Sequence, residues 1–253
     1  MISNLEDLTL APKCQHKTIW HSVRSHRLGG TIICFSATAS LSTGIALLAL
    51  GAITVRHAAT PAEVPYAAIP MIFGIQQLVE GGLWLGLPAQ TLTTHVLAIV
   101  YLLFSNVLWP IYVPVAVWLI EPGILRRRII LFPLAAGAAT SVFFLAAIVT
   151  QPVSATIKVA HIGYHLPHPH HTIAFTFYAV ATCLAPLLSS HKMVRLFGGA
   201  LIGSMIAAYV IYSIWFASVW CFFAALTSGV VFLYFSRRSR PGNNDDETLI
   251  ATG

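Results

Sequence analysis

Charge is what this chain has least of. Asp, Glu, Lys and Arg make up 9% of its 253 residues against 57% hydrophobic, too little charge to cover a soluble globule of that length. Acids are the scarcer sign, eight against fourteen Lys and Arg. The basic residues fall in short clusters between apolar runs, as loop anchors do, so the net +6 is a topology signal and not a nucleic-acid surface. The four cysteines, Cys14, Cys34, Cys183 and Cys221, show no Cys-x-x-Cys spacing, which excludes a zinc ribbon, a thioredoxin-type site and haem attachment. There is no His-Glu-x-x-His. The last apolar run, Ala217 to Phe235, holds no Lys, which excludes a retinal Schiff base. Residues 1–30 hold no apolar core of signal-peptide length.

What the chain does have is apolar runs near twenty residues long. Helices are expected at about 35–54, 64–84, 95–119, 129–149, 171–189, 195–213 and 216–235. The fold class that follows is an all-α integral membrane protein, a bundle of seven transmembrane helices over 34–235, with a polar N-terminal tail at 1–33 and a disordered cytoplasmic tail at 236–253. Arg56, Arg126, Arg127, Arg128, Lys192, Arg195, Arg237, Arg238 and Arg240 lie on the side of the C-terminus. Lys158 and the four basic residues of the N-terminal tail lie opposite. This puts the C-terminus in the cytoplasm and the N-terminus outside. Small residues at four-residue spacing, Ser40 with Gly44 and Gly199 with Gly203 and Ala207, mark faces for close helix packing. Pro110 and Pro114 predict a kink in the third helix with the Asn106 carbonyl released.

One acid lies inside an apolar span. Glu80 has no Lys or Arg at its depth, and helical spacing sets Gln76, Gln77 and Trp84 beside it. A charge at the bilayer centre costs roughly 3 kcal/mol on insertion scales, so this face must look into protein or a wet cavity. Two readings stand together: a protonated acid hydrogen-bonded to Gln76, Gln77 or a tyrosine, and a functional group. On the outside-in topology the same leaflet collects Ser36, His95, Tyr209, Tyr212, Trp220, Cys34 and Cys221. Glu80 and His95 form the candidate catalytic pair, able to relay a proton or orient a ligand. Gln76, Gln77, Trp84, Asn106, Tyr209, Tyr212, Ser36 and Trp220 are candidate ligand-binding residues. Cys34 and Cys221 are read either as a disulfide on an oxidising face or as two inert thiols.

The outer loop between the fourth and fifth helices carries His161, His165, His168, His170 and His171. His161 and His165 can share a helical face ahead of Pro167, and imidazoles at this density suit a transition metal, Zn or Cu; they are also what a solvated loop looks like.

Three blocks carry a family likeness: Cys34-Phe35-Ser36-Ala37-Thr38-Ala39-Ser40, Phe73-Gly74-Ile75-Gln76-Gln77-Leu78-Val79-Glu80-Gly81 and Ser218-Val219-Trp220-Cys221-Phe222-Phe223-Ala224-Ala225. Together they resemble a bacterial membrane family known as domain of unknown function 6629. The resemblance implies a compact helical membrane fold and brings no activity. Three functions therefore compete: an outward cavity at Glu80 that binds or conducts a cation, a proton or a small polar ligand, with the His loop as its mouth; a membrane-embedded metalloenzyme; and a structural or sensory subunit. The partners expected are the lipid bilayer, that ligand, and a homo-oligomer or membrane complex, with no nucleic acid.

Overall fold

The computed structural model describes residues 36–158, 161–212 and 216–238. The N-terminal tail with Cys34, and the C-terminal segment beyond 238, lie outside the described residues. Helices cover each of the seven apolar segments. Helix α1 (Ala37–Arg56) starts at an N-cap, Ser36, whose hydroxyl accepts from the Ala39 amide at 3.2 Å. A single turn, α2 (Val64–Ala67), leads into α3 (Ile69–Gly86). The third segment is α4 (Leu92–Leu102), a π-helical stretch (Leu103–Leu108) and α5 (Trp109–Ile120). Helix α6 (Ile124–Thr150) follows. After it come α7 (His171–Ala179), a second π stretch (Val180–Leu184) and α8 (Ala185–Leu187). Helix α9 (Lys192–Tyr212) precedes α10 (Phe216–Thr227) and α11 (Gly229–Arg238), so the seventh segment is broken by a turn at buried Ser228.

Five helices among the described residues are long and apolar enough to cross a membrane, and Thr172–Leu187 is a shorter apolar helix. The chain is a helical membrane protein by length and composition. Helix α3 has 18 residues but falls short of that apolarity, because Gln76, Gln77 and Glu80 interrupt it.

The fold is not all-α. Residues read as a loop form a hairpin, β1 (Ser154–Lys158) antiparallel to β2 (His161–His165), with Ala155 opposite Tyr164 and Ile157 opposite Ile162. β-branched Thr156, Ile157 and Ile162 favour the strand, and burial of Val153, Ala155, Ile162 and Leu166 anchors the hairpin to one end of the bundle. His161 and His165 therefore do not share a helical face. They lie four strand residues apart, His161 buried and His165 exposed.

Close approach holds α1 on α3: a Cβ on Gly51 would stand 2.4 Å from the Met71 amide nitrogen. Such contact supplies the van der Waals attraction that membrane helices need in place of a hydrophobic drive. The small-residue face expected in α9 behaves differently. A Cβ on Gly199 or Gly203 meets nothing within 4 Å, whereas one on Gly198 would touch Pro186 and the Leu187 amide. The packed face is one residue out of phase with the expected one.

Pro110 shapes the middle of the bundle. In the π stretch the Trp109 amide bonds to the Phe104 carbonyl, and Pro110 has no amide to offer the Ser105 carbonyl. That orphan is taken by the Tyr178 hydroxyl at 2.6 Å, and the Val107 carbonyl by the Ser141 hydroxyl at 2.7 Å. The released carbonyl is thus at Ser105, one residue before the expected Asn106, because the π turn shifts the pairing by one. Helix α6 comes so close here that a Cβ on Gly137 would overlap the Pro110 carbonyl, a contact neither backbone can relax.

Candidate functional site

The buried face of α3 carries three polar side chains at almost no exposure: Gln76 0%, Gln77 0% and Glu80 1%. Gln76 Oε1 accepts from Trp109 Nε1 at 2.6 Å, and the Trp109 ring stacks on Phe73 at 3.8 Å. Tyr101 of α4 lies flat against Tyr164 of β2, centroids 4.4 Å apart and planes 2° from parallel. Glu80 is within electrostatic reach of Tyr101, Tyr164 and Cys221, and Cys221 lies by the Tyr101 hydroxyl and the Gln76 amide. Carboxyl, carboxamide, two phenols and a thiol from α3, α4, β2 and α10 thus converge. Several of their polar atoms, Gln76 Nε2, both ends of Gln77 and the hydroxyls of Tyr101 and Tyr164, are sealed from solvent without a hydrogen bond of normal geometry among the described residues. Buried polar atoms in native proteins are almost always paired; Ser40 and Tyr66 carry such atoms elsewhere, but this cluster gathers more of them than any other part of the described residues, which makes it the candidate site. Burial, with Glu80 and Cys221 nearby, pushes the Tyr164 phenol up, and the Tyr101 hydroxyl only partly offsets this.

A cavity of about 670 Å³ adjoins the cluster, walled by Tyr164 and Cys221 on that side. Leu102, Ser105 and Asn106, Phe144, the 165–168 turn (His165, Leu166, Pro167, His168), Phe175, Tyr178, Tyr209 and Trp220 line the rest. Trp220 meets Tyr178 edge to face at 5.3 Å, and His168 meets Phe144 at 5.2 Å while its Nδ1 faces the Leu166 carbonyl at 2.8 Å. Asn106 Oδ1 accepts from the Ser105 hydroxyl at 3.3 Å. Tyr209, 62% exposed, stands at the rim.

The other expected residues are dispersed. His95 is exposed on α4 and is not the partner of Glu80; Thr94, Ala98 and Tyr101 are the buried side of that helix. Helical phase decides this, since His95 stands about 100° around from Thr94. Ser36 caps α1. Trp84 is half-buried, its indole nitrogen sealed with no hydrogen-bond partner among the described residues. His161 is buried in the hairpin, where burial holds its imidazole below the ordinary value. His170 is exposed in a left-handed backbone conformation before α7 and borders a separate groove with Thr140 and Ile173. The side chains of His171 and Tyr212 lie outside the described residues, as does Cys34, the expected partner of the free thiol Cys221. Among the described residues no three of His, Cys, Asp and Glu form a group able to hold a metal.

Sequence reasoning missed Tyr101, Trp109, Tyr164 and Tyr178. Tyr101, Ser105 and Trp109 repeat at four-residue spacing, a polar stripe that was available in the sequence. Tyr164 was not, because its place depends on the hairpin.

At the opposite end of the bundle Glu121 is also buried, 2% exposed. It accepts from the Ser190 amide at 2.8 Å, the Ser189 hydroxyl at 3.0 Å and the Gly123 amide at 3.4 Å. Burial alone would raise this carboxyl, but the bonds from Ser190, Ser189 and Gly123 outweigh it and hold it below the usual carboxylate value. Arg126 and Arg195 each donate to the Ser189 carbonyl at 2.9 Å.

With this geometry in view, the chain belongs to the family of unknown function DUF6629, which it matches over residues 33–246. No curated protein and no solved structure matches it.

Proposed function

We propose that this protein is a seven-helix membrane protein that admits a small polar or cationic solute from the outer face into a cavity backed by Glu80. In this reading the N-terminus is outside, the C-terminus is in the cytoplasm, the membrane is the cytoplasmic one, and the His-bearing hairpin forms the mouth. The observation that carries it is the cavity of about 670 Å³ whose wall at Tyr164 and Cys221 is shared with the buried polar cluster. A packed structural bundle has no use for polar atoms left sealed beside a void. The orientation is supported by Arg126, Arg195 and Arg237, which gather at the end away from the hairpin, where they bind the 188–190 turn and approach Met193.

The test is side-specific thiol labelling. Asn106→Cys in a background with Cys14, Cys34, Cys183 and Cys221 changed to Ala should react with a membrane-impermeant methanethiosulfonate added to the outer face of cells. Ile111→Cys, on the apolar outer surface of α5, should not. An Asn106→Cys protein that reacts only after unfolding, or only from the cytoplasmic face, refutes the reading.

A further inference from the structure

We infer that the solute is an organic ammonium ion, held by the aromatic walls of this cavity with Glu80 setting the sign of the charge; the inference rests on the cavity being a solute site. Three observations lead there. First, among the described residues no Lys or Arg lines the cavity, and Glu80 is in reach of both Tyr164 and Cys221 on its wall. In a low-dielectric wall one ionised carboxyl is enough to decide which sign of charge enters, and a cation arriving beside it favours that ionised form. A phosphate or carboxylate ligand would find no guanidinium or ammonium on these walls, only the imidazoles of His165 and His168, with the Glu80 carboxyl behind them.

Second, the lining is dominated by rings. Trp220 and Tyr178 meet edge to face at 5.3 Å and 67°, making a corner, and Phe144, Phe175, Tyr164 and Tyr209 complete the enclosure. Rings attract a cation over their faces, and a cage of them takes quaternary and alkylated ammonium groups, which carry their charge without needing strong hydrogen bonds. Third, part of the polar lining is already used within the bundle. Ser105 and Asn106 bond to each other, and Tyr178 is spent on the Ser105 carbonyl. What remains, chiefly the Tyr164 hydroxyl, His165 and His168, can meet the one polar arm of an ammonium ion but is too little to replace the water shell of a sugar or other polyol.

The probes are choline and its carbon isostere 3,3-dimethylbutan-1-ol, identical in shape and without charge. In equilibrium binding to the full-length purified protein at pH 8, choline should bind saturably and the isostere about tenfold more weakly or worse. Trp220→Ala should weaken choline by about tenfold, Trp220→Phe by no more than about threefold, and Glu80→Gln by about fivefold or more. The Phe variant guards against a result that comes only from misfolding. Equal binding of the two probes overturns the inference and leaves an apolar pocket. Absence of choline binding in a protein whose Asn106→Cys form still labels from outside also overturns it, while the solute-cavity reading stands. If that cysteine does not label, the cavity reading itself has failed.

Discussion

Glu80 and Glu121 are both carboxyls with almost no surface, at opposite ends of one bundle, and their surroundings differ in kind. Glu121 is met by two amides and a hydroxyl aimed at its oxygens, with two arginines closing over the same turn. Around Glu80 the neighbours are amides and phenols, one of them held by Trp109 and several sealed without a hydrogen bond of normal geometry among the described residues, beside a cavity. Burial alone does not separate a structural acid from a functional one. What separates them is the setting: a closed turn of amide and hydroxyl donors around Glu121, and a cluster of amides, phenols and a thiol next to a cavity around Glu80.

The sharpest way to break this comparison is to remove the Glu121 carboxyl. Glu121→Ala leaves the Ser189 hydroxyl and the Ser190 amide buried and unmatched, and unfolding in detergent should lose about 3 kcal/mol, read from denaturant midpoints. A loss under about 1 kcal/mol would mean that those bonds do not hold the turn, and the contrast with Glu80 would collapse. Next comes Tyr178→Phe, which strips the donor from the orphaned Ser105 carbonyl and should cost about 1–2 kcal/mol.

Both of these sites show how far the sequence could be read. The seven helical segments were legible because runs of apolar residues that long have few alternatives, and Glu80 was legible because nothing else in those runs is acidic. Phase was not legible to one residue: Gly198 packs where Gly199 was expected, Ser105 is orphaned in place of Asn106, and Tyr101 faces the cluster in place of His95. A single helix with several polar or small positions does not declare which of its faces is inside. Glu121 read as a loop acid because the groups that bury it, Ser189 and Ser190, lie 68 and 69 residues further along the chain. The hairpin hid for a related reason, since each strand is five residues long and its buried side emerges only when Tyr164 meets Tyr101 across the bundle.

A smaller effect is the acid sensitivity of the two ends. Glu121 is held below its ordinary 4.5, so its contribution is fully present above that pH and lost as pH falls from 4.5 through the folded value. His161 is held neutral below its ordinary 6.5, so the unfolded chain takes up a proton first and stability declines as pH falls from 6.5 toward the lower folded value. Melting temperatures measured from pH 8 to 3 should show both declines. Glu121→Gln should remove the lower one and His161→Gln the upper one. If His161→Gln leaves the profile above pH 5 unchanged, the hairpin histidine is not held neutral by its burial.

The smallest expected change in stability is also the one that decides most. Glu80→Gln keeps the shape of the side chain and removes its charge, and the surrounding amides and phenols can meet a carboxamide as readily as a carboxyl. Unfolding should shift by less than about 1 kcal/mol, while choline binding drops. Set against Glu121→Ala, this gives a crossed pattern: one acid whose loss unfolds the protein, and one whose neutralisation leaves a folded protein with an altered cavity. If Glu80→Gln destabilises as much as Glu121→Ala, then Glu80 is a structural acid whose uncommitted neighbours are incidental, and the two ends of the molecule differ only in geometry.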